Sequence, residues 1–232
     1  MPANIVDIVA MVLFLSIWIG YTRFASAQVK RRPCLAGLLH TFRRRWMLSL
    51  LERDNRVADT TIIANIERTV TFLASSTMLI IAGLLTVMAS SEKAMALVSA
   101  LPFTHKPSAV EWELKLLLLV SIFIYAFFKF TWALRQVGFC AVMVGHAPMP
   151  GDAIDDAHKV KFAEGMAKML SMAGAHFNHG LRSYYFGLAS LAWFFNVWVF
   201  MGATFAVFGI LYQREFASSA LRALQQVEVT TR

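Results

Sequence analysis

Apolar runs long enough to cross a bilayer alternate along this chain with segments that gather nearly all of its charge, a pattern that predicts an all-α integral membrane protein. Helices are expected because a hydrocarbon core of about 30 Å offers no water to backbone N–H and C=O groups, and roughly 20 helical residues cover it. Four transmembrane helices are read, at about residues 4–24, 70–90, 114–137 and 184–212. A basic segment (25–68), a short loop (91–113) and a mixed helical segment (138–183) separate them, and a tail (213–232) follows. The whole chain, 1–232, reads as one membrane domain.

Charge sets the orientation. Residues 23 to 68 carry Arg23, Lys30, Arg31, Arg32, Arg43, Arg44, Arg45, Arg53, Arg56 and Arg68 against Glu52, Asp54, Asp59 and Glu67, so by the positive-inside rule this segment is cytoplasmic. The loop 91–113, with Lys93 and Lys106 against Glu92, Glu111 and Glu113, fits the outside. Four crossings then put both termini on the outer side. Ala25-Ser26-Ala27 has the look of a cleavage site, but no basic residue precedes Arg23 and Asp7 sits near the start, so the first run reads as an uncleaved anchor.

Two cytoplasmic stretches have helical periodicity without the length or apolarity of a span. Leu35, Leu38, Leu39, Phe42, Trp46 and Leu50 share one face, which suits a helix resting on the headgroups or on the protein's own bundle. After the turn His146 to Gly151, the acids Asp152, Asp155 and Asp156 complement the start of a helix to about Ala175. There Val160, Ala163, Ala167, Met169 and Met172 alternate with Lys159, Lys161 and Lys168. The two stretches are expected to form a cytoplasmic cap.

Composition agrees with the pattern. The 232 residues are 58% hydrophobic and 16% charged, with a mean hydropathy of +0.57, outside the range of ordinary soluble domains. The net charge of +8 sits in loops beside apolar runs, where anionic lipid explains it better than nucleic acid does, and no nucleic-acid reader motif is present. Cys34 and Cys140 are too few for a disulfide framework and read as free thiols.

The informative positions are polar residues in or beside apolar runs. Lys129 lies inside the third run, where a cation costs about 2.5–3.5 kcal/mol near the bilayer centre. By helical rise it is roughly 9 Å short of Arg135, an expected headgroup anchor, so its ammonium either snorkels or meets a partner or hydrated path. Trp132 and Gln136 share its face, Glu67 is the acid best placed to pair with it, and Asp7 belongs toward the opposite leaflet. Asn178 and Arg182 join Tyr184 and Tyr185 in an interfacial cluster, and Asn196, mid-way in the fourth run, is expected to bond to a neighbouring helix. Small residues at Ser76, Gly83 and Ser90, and at Gly202, Ala206 and Gly209, form seams for helix packing and predict a homo-oligomer.

No catalytic or cofactor constellation emerges. His176 and His179 are the best metal candidates, yet two imidazoles do not complete a site, and no HExxH, nucleophile triad, phosphate loop or paired acids are found. An enzyme, a metal and a cofactor are therefore not expected.

Several segments carry a specific resemblance: Arg45-Trp46-Met47; Glu52-Arg53-Asp54-Asn55-Arg56-Val57-Ala58-Asp59; FLASSTMLIIAGL at 72–84; YAFFKFTWALRQVGFC at 125–140; HFNHGLRSYYFGLASLAWF at 176–194; and LYQREF at 211–216. Together they resemble the uncharacterised membrane family catalogued as domain of unknown function 599. The resemblance implies a multi-pass membrane protein and carries over no activity, ligand or catalytic residue. The expected function is an oligomeric channel or transporter for an ion or small solute in a bacterial inner membrane. The alternative is a non-catalytic accessory or scaffold subunit bound to a membrane protein partner.

Overall fold

The local chemistry of the chain sets where its helices begin. A computed structural model describes residues 5–29, 32–99 and 108–230, all of them helical or connecting, with no strand among the described residues. Asn4, Lys30, Arg31, Lys106 and Arg232 lie outside the described residues. The helices are α1 (Ile5–Gln28), α2 (Leu35–Leu51), α3 (Val57–Ala89), α4 (Ser91–Ser99), α5 (Ala109–His146), α6 (Asp156–Leu191), α7 (Val197–Phe216) and α8 (Ser219–Thr230), with one 3-10 turn at Ala192–Phe194.

Several starts are capped by the residue types that favour them. Ser108 Oγ accepts from the Glu111 N–H at 3.3 Å while Glu111 Oε2 accepts from the Ser108 N–H at 3.2 Å, a reciprocal capping box that opens α5. Asn55 accepts from the Val57 N–H ahead of α3, Asp155 from the His158 N–H at α6, and Ser218 from the Leu221 N–H at α8. Cys34 gives α2 no side-chain cap. Instead Glu215 Oε1 accepts from the Ala36 N–H at 3.2 Å, and its carboxylate complements the positive end of that helix.

Among the described residues four stretches are long and apolar enough to cross a membrane: Ile5–Gln28, Val57–Ala89, Ala109–His146 and Val197–Val229. The fourth differs from the run expected at 184–212. Helix α6 continues through the expected loop boundary to Leu191, the backbone leaves the helix around Asn196, and α7 starts afresh. Tyr185 and Arg214, near the two ends of the expected crossing, are hydrogen-bonded to each other. The chain therefore turns back on itself, and 184–212 is a helical hairpin rather than one span. The physical reason is that 29 residues are half as long again as a span needs, and Asn196 supplies a helix start in their middle.

The chain divides into two compact units. The first comprises the described residues of Met1–Gln28, Ser75–Phe127 and His179–Arg214. Its core joins α1 to both arms of the hairpin through aromatic rings. Phe14, fully buried, meets Phe186 edge-on at 5.7 Å and Phe200 at 5.2 Å, while Tyr21 meets Phe208 at 5.6 Å. Ala10, Phe14, Tyr21 and Ala25 are the buried positions of α1, a single stripe at helical spacing. Gly187 lets α6 approach α5, since a Cβ there would lie 3.2 Å from the Phe123 ring.

The second unit comprises the described residues of Val29–Ala74, Phe128–Asn178 and Glu215–Arg232. Met47, Leu50 and Leu51 of α2 share a core with Val137, Cys140 and Val144 of α5 and Ala163, Met166, Ala167 and Leu170 of α6. Cys34 and Cys140 are both buried, and neither forms a disulfide among the described residues. Polar staples hold the elements in place. Asp59, fully buried, accepts from Trp46 Nε1 and from Arg53, each at 2.6 Å, and Arg56 donates to the carbonyls of Ala147 (2.8 Å) and Pro148 in the turn before α6.

The Ala36–Glu215 bond joins the start of α2 to the end of α7. Residues 25–68 and the tail 213–232, expected on opposite sides of a bilayer, are thus hydrogen-bonded to each other.

Phe14→Ala is expected to destabilise the protein by about 3–5 kcal/mol, the usual cost of emptying a buried phenylalanine site. Thermal melting of the detergent-solubilised protein checks this, and an unchanged melting curve would show that the aromatic junction of α1 and the hairpin is not a stability determinant.

Candidate functional site

The hairpin tip is where charge, irregular backbone and a cavity coincide. Between α6 and α7 the amides of Phe195 and Asn196 both donate to the Ala192 carbonyl at 3.1 Å, which closes the turn without a full helical ladder. Asn196 Oδ1 accepts from the Trp198 N–H at 2.8 Å, and its own carbonyl accepts from Phe200 at 3.0 Å. Asn196 is therefore the cap of α7. The expectation that it bonds to a neighbouring helix is corrected on the same grounds: its amide is exposed and engaged with its own chain.

Helices α1 and α5 bring the charged groups to this turn. Lys115 Nζ donates to the Trp193 carbonyl at 3.2 Å and lies 5.2 Å from the centre of that indole ring. Asp7 Oδ1 accepts from Trp193 Nε1 at 2.7 Å and stands 4.0 Å from Lys115 Nζ. Both charged side chains are largely shielded, at 13% and 19% exposure for Lys115 and Asp7, so their attraction is screened less than at an open surface. Trp193 in turn stacks on Phe200 at 4.9 Å, which ties the turn to α7. The cluster borders a cavity of about 280 Å³ lined by Asp7, Glu111, Lys115 and the turn itself from Trp193 to Trp198. Such a site offers an ammonium, two carboxylates and backbone amides and carbonyls to a small ion or polar solute.

The residues singled out from the sequence occupy other places. In the first unit Arg182 is buried, its guanidinium 5.3 Å from the Tyr21 ring centre, and Ser26 Oγ lies 3.3 Å from His179 Nε2. In the second unit Lys129 is half-buried, Arg135 is exposed above the Phe139 ring of its own helix at 5.5 Å, and Asn178 is half-buried on α6. Burial, and after it the Lys129 ammonium, lower the proton affinity of His176, whose ring meets Trp132 edge-on at 6.4 Å. Gln136, on the same helix, is buried. Glu67 is exposed on α3 and makes no ion pair among the described residues, so the expected Lys129–Glu67 partnership does not form. The packed stripe of α3 in that unit is Ile63, Val70 and Ala74, and Glu67 lies outside it. Among the described residues no group of three or more His, Cys, Asp or Glu is arranged to hold a metal ion.

Sequence reasoning passed over Asp7, Lys115 and Trp193 as a group. A signal existed: Asp7 opens the first run and Lys115 the third, both at ends assigned to the outer level, and opposite charges at one level invite pairing. What was missing was the turn between them. Asp7→Ala removes the acceptor of an indole N–H and the counter-charge of Lys115, and is expected to cost about 1–3 kcal/mol. Asp7→Asn keeps an acceptor for Trp193 and is expected to cost less. Equal melting temperatures for the two variants would show that the charge, and not the hydrogen bond, is what matters.

Across residues 9–220 the chain matches the family model described as "Protein of unknown function, DUF599". No curated protein and no solved structure matches it. The match covers all eight helices in whole or in part, including the hairpin and the segments that carried the resemblance. The chain belongs to the DUF599 family of unknown function.

Proposed function

We propose that the protein is a homo-oligomeric membrane transport protein for an ion or small charged solute, with the hairpin-tip cluster as the point where that solute is first recognised. The observation that carries this reading is the shielded Asp7–Lys115 pair against an interrupted helix, facing a cavity of about 280 Å³. Ionisable residues on membrane-crossing helices are costly and mark solute paths. Interrupted helices serve transporters by aiming free backbone groups at the solute. Support for self-association comes from α7, where Gly202, Ala206 and Gly209 are exposed and a Cβ at either glycine would meet nothing within 4 Å, leaving room for a close helix approach.

The membrane arrangement that accompanies this reading has the N-terminus outside and the C-terminus on the cytoplasmic side. Its supports are the basic residues of 25–68, the bond that joins Ala36 to Glu215, and the hairpin, whose last α6 residues and α7 make two passes where one was counted. Against α1, His179 lies beside Ser26 and Trp193 beside Asp7, so this part of α6 runs the opposite way along the whole of α1.

Flux of monovalent cations, anions and small zwitterions into liposomes containing the purified protein tests transport. Wild-type flux that drops at least about tenfold in Lys115→Met and Asp7→Asn is expected. Absence of flux from intact oligomers would sink the transport reading in favour of the accessory-subunit one. The arrangement is tested by an impermeant maleimide on intact cells: Ile5→Cys is expected to label directly and Arg222→Cys only after permeabilisation. Labelling of both from one side would restore an even number of crossings.

A further inference from the structure

The second unit contains a cavity of about 230 Å³ lined by Arg43 of α2, Thr69 and Val70 of α3, Val137 of α5, and Leu170 and Phe177 of α6, among others. All of the lining is apolar apart from Thr69 and the guanidinium of Arg43. That guanidinium lies against the α6 backbone: a Cβ on Gly174 would be 2.9 Å from one of its nitrogens, so any larger residue there would have to push the guanidinium aside. Its side-chain partner is the Ser171 hydroxyl, at a long 3.4 Å, and Ser171 is itself 2.9 Å from His40 Nδ1. The neighbouring arginines are differently engaged. Arg44 pairs with Glu164 at 2.9 Å, and Arg53 with Asp59 at 2.6 Å. Arg43 has no carboxylate partner among the described residues.

A half-buried guanidinium without a counter-ion in an apolar recess is an expensive arrangement, and burial already lowers the Arg43 proton affinity. An anion with a hydrocarbon body satisfies both features at once, since arginine binds phosphate oxygens in a fork and the walls accept methylenes. The volume is below the roughly 300–1,000 Å³ of pockets that enclose a drug-sized ligand, so the recess takes a headgroup and the start of a chain. The rest of the chain has a place to go: Phe72, one turn beyond Thr69 on the same face of α3, is 68% exposed. Helix α3 is among the stretches long and apolar enough to cross the membrane, which puts bilayer lipid within reach of the cavity.

We infer that this cavity is a binding site for one anionic phospholipid, its phosphate held by Arg43 and its first acyl carbons lying between α3 and α6. This is a single discrete site, in distinction to diffuse attraction of acidic lipid to the basic surface.

The full chain, purified in a neutral detergent, is titrated with phosphatidylglycerol, phosphatidylcholine and inorganic phosphate, and bound molecules are counted by native mass spectrometry. One tightly retained phosphatidylglycerol is expected. Arg43→Gln is expected to weaken it at least about tenfold, near 1.4 kcal/mol, and Thr69→Trp, which fills the recess from an exposed position, to weaken it likewise. Arg44→Gln, which removes an equal charge from the same helix surface, is expected to leave it unchanged. If Arg43→Gln melts as an unfolded protein, Thr69→Trp decides the matter. Equal loss in Arg44→Gln, retention of phosphatidylcholine as tight as that of phosphatidylglycerol, or occupancy by inorganic phosphate alone would each overturn the assignment.

Discussion

The first unit depends on satisfying the backbone where its last apolar stretch stops being helical. From Ala192 to Asn196 the regular ladder lapses between two apolar helices, and in hydrocarbon surroundings each unpaired backbone group there would cost several kcal/mol. The chain meets this constraint with three devices. A shared carbonyl at Ala192 takes two amides, Asn196 caps the new helix with its own side chain, and Lys115 donates to the Trp193 carbonyl from α5. Once Lys115 is committed there, a carboxylate beside it lowers the cost of keeping its charge shielded, and Asp7 stands at that place while also holding the Trp193 indole. Structural need and a polar cavity thus arise from the same few residues.

The second unit solves a different problem, that of anchoring several helices by polar contacts at their ends. Its staples are charged groups turned toward backbone or toward each other: Glu215 on the Ala36 N–H, Arg56 on the carbonyls of Ala147 and Pro148, and Asp59 between Trp46 and Arg53. Each neutralises a partial or full charge that its neighbour would otherwise leave exposed to an apolar environment. Arg43 stands out against this background because its surroundings are apolar and, among the described residues, its side-chain hydrogen-bond partner is a hydroxyl.

Much of the architecture was legible in the chain. The apolar runs near 4–24, 70–90 and 114–137 fall within α1, α3 and α5, apart from Asn4, which lies outside the described residues, and Ser90, which follows the end of α3, and the start of α5 is marked by the capping box of Ser108 and Glu111. The candidate polar residues were read less well. Lys129 and Glu67 fall on facing ends of expected spans, but the side-chain direction of Glu67 depends on which stripe of α3 is packed, and Ile63, Val70 and Ala74 take that stripe. Asp7 belongs to the opposite end from Lys129, and its partner is Lys115, which only the fold brings beside it.

The sequence by itself determined that this is a helical protein with runs long and apolar enough to cross a membrane and with its basic residues concentrated between the first two of them, because hydrocarbon solubility and charge placement are properties of local composition. Only the tertiary structure decided that the run from Tyr184 to Tyr212 folds back on itself. Hydropathy is the same whether an apolar stretch crosses once or turns at its middle. The choice is made by contacts between distant parts of the chain: Trp193 against Phe200 and Asp7, Lys115 on a freed carbonyl, and Tyr185 with Arg214. Those contacts convert an amide in the middle of an apolar run from a bridge between helices into the cap of one.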